Sequence, residues 1–138
     1  MIINAEDMIL GRLATYAAKE ALRGKDIFIV NCEKAVISGS KKMVLGKYQE
    51  KVRRGAPLRG PYFPRMPDKI VRRTIRGMLS YKKERGRKAL SKIKCYISVP
   101  EELKNKKMET IKQAHISKTQ SLKYVSVGRI SHLLGAKV

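Results

Sequence analysis

The residues best suited to chemistry in this sequence are arginines and lysines concentrated in its middle third. Residues 51–88 contain 14 basic and two acidic side chains, a net charge of +12 in a chain whose formal net charge is +21. Arginine donates two parallel hydrogen bonds from a planar guanidinium, which matches the oxygens of a phosphate group. Positive charges this concentrated repel one another, and the repulsion destabilises a folded protein unless an anion neutralises the charges. The charge therefore predicts a polyanionic partner, and nucleic acid is the expected one.

Most of the candidate contact residues lie in a loop and in the helix that follows it. Four of the five prolines fall within residues 55–67, which predicts an extended, semi-rigid loop rather than a strand or helix. A helix is predicted from Asp68, with Val71, Ile75, Met78 and Leu79 on its buried face and cations on the other face. The predicted RNA-binding residues are Lys41, Lys42, Arg53, Arg54, Arg59, Gly60, Tyr62, Arg65, Lys69, Arg72, Arg73, Arg76, Gly77, Lys82, Lys83, Arg85, Gly86, Arg87 and Lys88.

Glycines and aromatic residues are interleaved with these cations. Arg-Gly pairs at 54–55, 59–60, 76–77 and 85–86 place a charge beside backbone that can approach a partner closely. Gly77 costs about 1 kcal/mol relative to alanine inside a helix, so we expect a close backbone approach there. The interleaved rings are those of Tyr62, Phe63 and Tyr81. They could stack on an unpaired base or pack against the core, and packing is the better-supported reading of the rings alone.

Signals for catalysis and cofactor binding are absent from the sequence pattern. Gly46-Lys47 is followed by Tyr48, so it does not complete a phosphate-binding loop, and no dinucleotide-binding glycine motif follows the first strand. His115 and His132 are seventeen residues apart without a nearby cysteine, which disfavours a zinc site. No carboxylate pair is spaced for acid–base work. We therefore expect no cofactor or metal, and the pattern gives no support for an enzyme or for a small-molecule substrate.

The first third of the chain predicts an α/β fold. Residues 1–4 and the apolar run 27–32 are typical of strands, and the apolar spacing between them predicts a helix over 10–22. We expect Asp7 to cap the start of this helix and Gly24 to end it. The run 27–32 is rich in β-branched residues, as in a strand buried on both faces. This order of elements predicts a parallel sheet with crossover helices.

The rest of the chain shows shorter patterns, and we expect one domain over residues 1–138. A turn is expected at Gly86, while residues 101–120 receive no assignment. The other predicted elements are a strand at 35–37, a helix beginning near Lys41, a helical turn at 88–93, strands at 94–100 and 123–127, and a helix at 127–135 that ends at Gly135.

Three sequence features bear on the cellular compartment: the cysteine spacing, the length of the apolar runs and the first ten residues. Cys32 and Cys95 are far apart and form no CxxC pair, so we expect two free thiols in a reducing compartment. No apolar run approaches the roughly 18 residues of a membrane span. The start "MIINAEDMIL" lacks the features of a signal peptide.

The sequence favours RNA over DNA without excluding either. No helix-turn-helix, basic zipper or zinc finger is present. An irregular arginine loop beside a charged helix suits a folded RNA, which proteins read by shape and backbone. A DNA-coating chromosomal protein and a nucleotide-using RNA-modifying enzyme remain alternative functions.

The segment "GPYFPRMPDKIVRRTIRGMLSYKKERGRKALSKIK" resembles the central motif of the universal large-subunit ribosomal protein thirteen family. The stretches "ILGRLATYAAKEALRG", "IVNCEKAVISG" and "YVSVGRISHLLG" are similar to other parts of that family. The Gly60-Pro61-Tyr62 segment and the short C-terminus resemble its archaeal and eukaryotic branch.

This resemblance implies a three-layer α/β/α domain with a small, mostly parallel sheet and a basic loop-plus-helix extension. It implies a non-enzymatic protein of the cytoplasmic ribosome that binds large-subunit ribosomal RNA and helps it fold, beside neighbouring ribosomal proteins. The family motif includes many of the arginines and lysines that charge alone singles out.

Overall fold

The structure, a computed structural model, describes residues 1–137 and alternates short strands with helices. In chain order the elements are β1 (Ile2–Asn4), α1 (Leu10–Leu22), β2 (Ile27–Val30), β3 (Val36–Ser38), α2 (Lys41–Arg53), α3 (Pro67–Met78), α4 (Glu84–Ser91), β4 (Ile93–Cys95), α5 (Glu101–Lys104), β5 (Tyr124–Ser126) and α6 (Val127–Leu133). Single 3-10 turns lie at Cys32–Lys34 and Ile116–Lys118.

Two small sheets organise these elements. In the first sheet β2 lies between β1 and β4 and pairs with both in parallel, with Ile3 opposite Ile29 and Ile27 opposite Ile93. In the second, β3 and β5 pair antiparallel. The predicted α/β class and the small, mostly parallel sheet are confirmed. The central position of β2 explains its apolar, β-branched sequence, because both of its faces are covered.

Side chains on β2 alternate between two hydrophobic clusters. Ile27 and Ile29 join the main core with α1 and α3, whereas Val30 joins a smaller cluster with Leu103 of α5 and half-buried Phe28 beside it. Helices therefore cover one face of the sheet, and α5 with its flanking residues covers the other. This arrangement is consistent with the expected three-layer α/β/α domain.

The helix α1 begins without the cap that the sequence predicts. Ile9, not Asp7, occupies the N-cap position and makes no side-chain capping bond. Asp7 lies earlier, in a turn, with a positive φ of 55°. The C-terminal prediction is correct in kind, since Gly24 follows the cap residue Arg23 with φ 96°, a conformation that favours glycine.

Two predicted strands are longer than the observed ones. The strand predicted at 27–32 ends at Val30, because Asn31 adopts the left-handed conformation. The strand predicted at 94–100 is only β4, and positive φ at Ser98 accompanies its irregular continuation. The N–H groups of Asn31 and Cys32 then bond to the carbonyls of Ser98 and Tyr96, so the two irregular segments satisfy each other.

Four other predicted elements, two strands and two helices, are present, most of them with shifted boundaries. The strand expected at 35–37 is β3, and the strand expected at 123–127 is β5. The helix α2 begins at Lys41 as predicted, with Ser40 as its N-cap. The terminal helix α6 is two residues shorter than the predicted 127–135, and Gly135 follows it with φ 90°.

Candidate nucleic-acid interface

The basic loop between α2 and α3 folds back on itself at its tip. The N–H of Gly60 donates to the carbonyl oxygen of Ala56 at 2.8 Å, and the N–H of Ala56 donates to that of Gly60 at 3.1 Å. Gly55 has φ 89°, and a Cβ there would collide with the Gly60 carbonyl. This tight turn leaves Leu58 and Arg59 exposed.

Phe63 anchors the loop to α2. Its ring meets the ring of buried Tyr48 edge-on, with centroids 5.8 Å apart. The neighbouring Tyr62 points away from such packing and is 69% exposed. Packing is therefore the role of Phe63, while Tyr62 keeps a ring that an unpaired base can reach.

A second anchor holds the end of the loop against α6. The hydroxyl of Ser131, a fully buried residue, donates a hydrogen bond to the carbonyl oxygen of Arg65. Pro67 then begins α3, where its missing N–H costs nothing, and Asp68 complements the positive end of the helix dipole. These two contacts fix the C-terminal part of the loop, just before α3.

Helix α3 presents one apolar and one cationic side. Its apolar side is built from Ile70, Val71 and Ile75, which are buried against the body. Its exposed cations are Lys69, Arg72 and Arg73. The exposure of these three side chains agrees with the predicted outer face, and their contact with RNA stays a prediction.

The end of α3 differs from its predicted amphipathic pattern. Leu79 is buried as expected, but Met78 is 44% exposed. Met78 lies at the edge of the contact with α1, where its sulfur accepts a hydrogen bond from the Thr15 hydroxyl at 3.4 Å. The prediction of a buried Met78 is therefore wrong.

Arg76 turns back toward the protein rather than fully outward. Its guanidinium carbon lies 4.1 Å from the centroid of the Tyr81 ring, a cation–π contact, and both side chains are half-buried. One face of Tyr81 is accordingly covered by an arginine of the same chain. This makes Tyr81 a poorer stacking platform than Tyr62.

The glycines in this region have different roles from those predicted. Gly86 lies inside α4 rather than in a turn, and it is buried so tightly that a Cβ would collide with the carbonyl oxygen of Ser80. Gly77, where a close backbone approach was expected, has no heavy atom of the described residues within 4 Å of its Cβ position. The expected close approach therefore occurs at Gly86, and the space beside Gly77 is open.

The predicted contact residues extend along one continuous stretch of chain plus one outlying pair. Arg53 and Arg54 end α2, Arg59 and Arg65 lie on the loop, and α3 follows directly. The remaining exposed cations, around the turn and along α4, are Lys82, Lys83, Arg85, Arg87 and Lys88. Lys41 and Lys42 are exposed too, but they begin α2, roughly 18 Å along the helix from Arg53.

Few of these charges are neutralised within the protein. Within residues 1–137, the salt bridges formed by predicted contact residues are Arg54–Glu50 at 2.9 Å and Lys88–Glu84 at 2.6 Å. Both pairs are solvent-exposed, and such pairs contribute about 0–1 kcal/mol. The other predicted cations are left available for an external anion.

The structure adds two lysines that the sequence analysis missed. Lys47, Lys51 and Arg54 follow one another at helical spacing i, i+4 and i+7 along α2, a signal that was present in the sequence. The Lys51 ammonium lies 5.1 Å from the Tyr48 ring centroid and 5.5 Å from that of Phe63. Partial burial, and then the charges of Lys47, Arg54 and Arg73, lower the pKa of Lys51 below its ordinary value.

Other chemistry is sparse in the described part of the chain. No three His, Cys, Asp or Glu side chains of residues 1–137 come together as metal ligands. His115 caps a 3-10 turn, since it accepts a hydrogen bond from the Ser117 N–H at 3.2 Å. Both cysteines are free, and a hydrogen bond with Cys95, together with burial, raises the pKa of the Cys32 thiol. Each helix within these residues is too short or too polar to cross a lipid bilayer.

Known proteins with similar sequences match almost the entire chain. A protein of Methanosarcina barkeri named large ribosomal subunit protein uL13 is 50% identical over 99% of this chain and 98% of its own length. Proteins of the same name from Archaeoglobus fulgidus and Methanococcus maripaludis are each 46% identical, over 97% and 99% of this chain and 86% and 98% of their own lengths.

The family match covers the part of the chain that carries the basic surface. The model of the family described as ribosomal protein L13 matches residues 1–102. These residues include the basic loop, α3, α4 and the parallel sheet. With this match and a relative at 50% identity over nearly the full length, the chain belongs to the ribosomal protein L13 family.

Proposed function

We propose that this protein is a structural constituent of the large ribosomal subunit that binds large-subunit ribosomal RNA and helps it fold during assembly. The observation that carries the proposal is the 50% identity, over 99% of the chain, to a protein named for that subunit. The role is non-enzymatic and needs no cofactor. Its place is the ribosome in the cytoplasm.

The geometry of the basic surface supports RNA as the ligand. The loop and α3 present arginines that have no carboxylate partner in residues 1–137, among them Arg59, Arg72 and Arg73. Anchors at Phe63 and Arg65 fix the path of the loop, so its charges are held at set distances. Phosphates from RNA segments that repel each other can therefore be bridged by one preformed surface.

The organisation of the chain fits a single domain over residues 1–138, with residues 51–88 as its main RNA surface. Lys41 and Lys42 add a second contact at the other end of α2. The partners are large-subunit ribosomal RNA and neighbouring proteins of the same subunit. The proposed role involves neither a membrane nor a small-molecule substrate.

Sedimentation of native lysate tests this proposal. The lysate is fractionated on sucrose gradients at low and at high salt, and the chain is followed by immunoblotting. We expect it to migrate with the large subunit and to survive a moderate salt wash. Recovery of the chain at the top of the gradient in both salts contradicts the proposal.

A binding competition separates RNA from the alternative partners. Purified protein is offered large-subunit ribosomal RNA, duplex DNA of equal phosphate content, and nucleoside triphosphate at the same salt concentration. We expect tighter binding to the ribosomal RNA, because its irregular fold matches an irregular loop. A preference for duplex DNA instead favours a chromosomal role, and saturable nucleotide binding favours an enzyme.

A further inference from the structure

A cleft of about 730 Å³ opens between α1, α2 and α3 beside the anchored loop. Its apolar wall is formed jointly by the three helices and includes Leu10, Met43, Val44 and Ile70. Clefts of this size accommodate small organic groups. The cleft therefore has room for a group the size of a nucleotide, with an apolar wall against which a planar ring can lie.

Cations surround the same cleft without matching carboxylates. The basic residues that line it are Lys47, Lys51, Arg54 and Arg73, and no Asp or Glu is among its lining residues in the described chain. Arg54 alone of the four pairs with a carboxylate in residues 1–137, through an exposed contact with Glu50. The free protein thus keeps several like charges close together around an apolar space.

Burial and the neighbouring charges both act on Lys51. Partial burial, and then repulsion from Lys47, Arg54 and Arg73, lower its pKa, so the charged ammonium is less favoured here than in water. A phosphate placed beside Lys51 reverses that effect by favouring the charged form. The electrostatics of the cleft consequently select an anionic occupant.

Two glycines keep the cleft open. Gly11 in α1 and Gly77 in α3 both line it, and beyond the neighbouring backbone of its own helix neither has a heavy atom of the described residues within 4 Å of its Cβ position. Alanine is about 1 kcal/mol more favourable than glycine inside a helix. Packing within the described residues does not require glycine at these two positions. An occupant that approaches the two helices closely does require glycine there, because a side chain would occupy the same space.

We propose that this cleft receives one unpaired nucleotide of the bound RNA, with its base against the apolar wall and its phosphate beside Lys51. The inference rests on the proposed function, since it names a subsite of the same RNA interface. A nucleotide joins a flat, largely apolar ring to an anion in one unit, which is the combination that the cleft provides. Proteins that recognise folded RNA commonly take up unstacked bases in this way.

The test uses cleft-filling variants with a matched control. Gly77→Met and Gly11→Met place a side chain in the cleft, where the open space at Cβ lets the helices accommodate it. Gly46→Met is the control, because Gly46 lies in α2 with equally open space and is not among the cleft residues. Thermal unfolding checks that all three variants are folded.

The probe is a single-stranded ribonucleotide trimer, compared at low salt with a trimer whose central base is removed. Methyl resonances of Met43, Val44 and Ile70 report the cleft. We expect the intact trimer to shift them and the abasic trimer to leave them unchanged. We expect Gly77→Met and Gly11→Met to weaken trimer binding at least fivefold, and Gly46→Met to bind like the unmodified protein.

Three results of the trimer and peptide measurements overturn the inference. The first is that both trimers shift the methyl resonances equally, and the second is that the filled and control variants bind the trimer with equal affinity. The third is that a peptide of alternating Glu and Phe shifts the methyl resonances more than the trimer does, which indicates a protein segment as the occupant. Binding to large-subunit ribosomal RNA is measured on the same samples. If the unmodified protein binds that RNA and the filled variants bind it equally well, the cleft inference fails and the proposed function stands; if the unmodified protein does not bind it, the proposed function itself fails.

Discussion

The hydroxyl of buried Ser131 donates a hydrogen bond to the carbonyl oxygen of Arg65, 66 residues away in the chain. The bond joins α6, near the C-terminus, to the end of the basic loop. Together with the edge-on contact between Phe63 and Tyr48, it converts a proline-rich segment into a surface of fixed shape. The C-terminal helix therefore has a part in positioning charges that lie far from it in sequence.

Removal of this anchor is expected to loosen the loop. Ser131→Ala leaves the Arg65 carbonyl without its partner, so we expect the free energy of unfolding to fall by about 1–2 kcal/mol. Urea denaturation measures that change, and amide hydrogen exchange is expected to quicken around residues 55–66. Ser91→Ala is the control, because its hydroxyl bonds to the Lys88 carbonyl at 2.8 Å on the exposed surface. Equal effects of the two substitutions contradict an anchoring role.

The arginines of α3 are expected to contribute to RNA affinity and to its salt dependence. The triple substitution of Arg72, Arg73 and Arg76 by alanine should weaken binding to large-subunit ribosomal RNA. It should reduce the slope of log affinity against log salt by roughly 2 to 3, at about 0.7–0.9 per phosphate contact. Filter binding from low to moderate salt measures both quantities.

A second triple variant controls for the loss of three charges. Lys106, Lys107 and Lys112 are exposed and lie outside the proposed surface. Their replacement by alanine changes net charge equally, so it should leave the slope nearly unchanged. Loss of the Arg76–Tyr81 contact costs about 0.5–1 kcal/mol, which a folded domain tolerates. Identical slopes for the two triple variants would mean that the α3 face is only solvated.

The two helical glycines of the basic region are expected to respond oppositely to alanine. Gly86→Ala forces a Cβ against the Ser80 carbonyl, so we expect destabilisation by about 1–3 kcal/mol. Gly77→Ala meets open space and should stabilise α3 by up to about 1 kcal/mol. Urea denaturation of both variants checks the pair, and destabilisation by Gly77→Ala would show an unrecognised close contact.

Glu20 is expected to make stability depend on acid pH. Its side chain is 4% exposed and bridges Lys25 at 2.6 Å. The hydrogen bond from Lys25, with the charges of Lys25 and Arg23, lowers the pKa of Glu20 in the folded protein. A carboxyl group whose pKa is lower in the folded protein than in the unfolded chain stabilises the fold at pH values above its pKa in the unfolded chain, near 4.5. This stabilisation is lost as the pH falls through the pKa of the folded protein.

The Glu20→Gln variant isolates this contribution. At pH 7 it should be less stable than the unmodified protein, and the difference should shrink as the pH is lowered below about 4.5 toward 3. Urea midpoints measured across this range give the comparison. Glu50→Gln is the control, because Glu50 is 71% exposed in its pair with Arg54 and should change stability little. A difference that stays constant from pH 7 to pH 3 rules out the ionised Glu20 pair as its source.

Local pattern predicted the elements whose determinants are local. The helix α1 and the buried strand β2 follow from the pattern of apolar residues, the start of α2 at Lys41 follows from the turn signal at Ser38-Gly39-Ser40, and the charge excess marked the basic surface. What the pattern missed depends on three-dimensional contacts that residue spacing does not reveal. Tight packing at Gly86 depends on the path of the turn at Ser80 before α4, and the end of β2 depends on carbonyls of residues 96 and 98, distant in sequence.

The candidate site likewise combines features that the sequence predicts with features that appear only in the folded structure. The cations were predictable because charge is visible in the sequence, and Lys47 and Lys51 would have been found by extending helical spacing back from Arg54. The cleft was not predictable, because it exists only where α1, α2 and α3 meet. Likewise nothing local distinguishes Tyr62 from Phe63, and only the position of Tyr48 separates their roles.

These two adjacent aromatic residues are expected to separate binding from stability. Tyr62 is 69% exposed, and base–aromatic stacking contributes about 1–3 kcal/mol per base, so Tyr62→Ala should weaken RNA binding by roughly 5- to 150-fold. Its stability should stay close to that of the unmodified protein. Phe63→Ala removes the contact with Tyr48 and should lower the free energy of unfolding by about 2 kcal/mol.

Filter binding and urea denaturation on the same preparations measure the two effects. Tyr62→Phe is the matched control, because it keeps the ring and removes only the hydroxyl, and it should retain most of the affinity. The stacking role is refuted if Tyr62→Ala binds ribosomal RNA as tightly as Tyr62→Phe does. An exposed ring contributes far less to folding than a ring packed on Tyr48 does. We therefore assign stacking to Tyr62 and packing to Phe63 only if Tyr62→Ala loses affinity and Phe63→Ala loses stability.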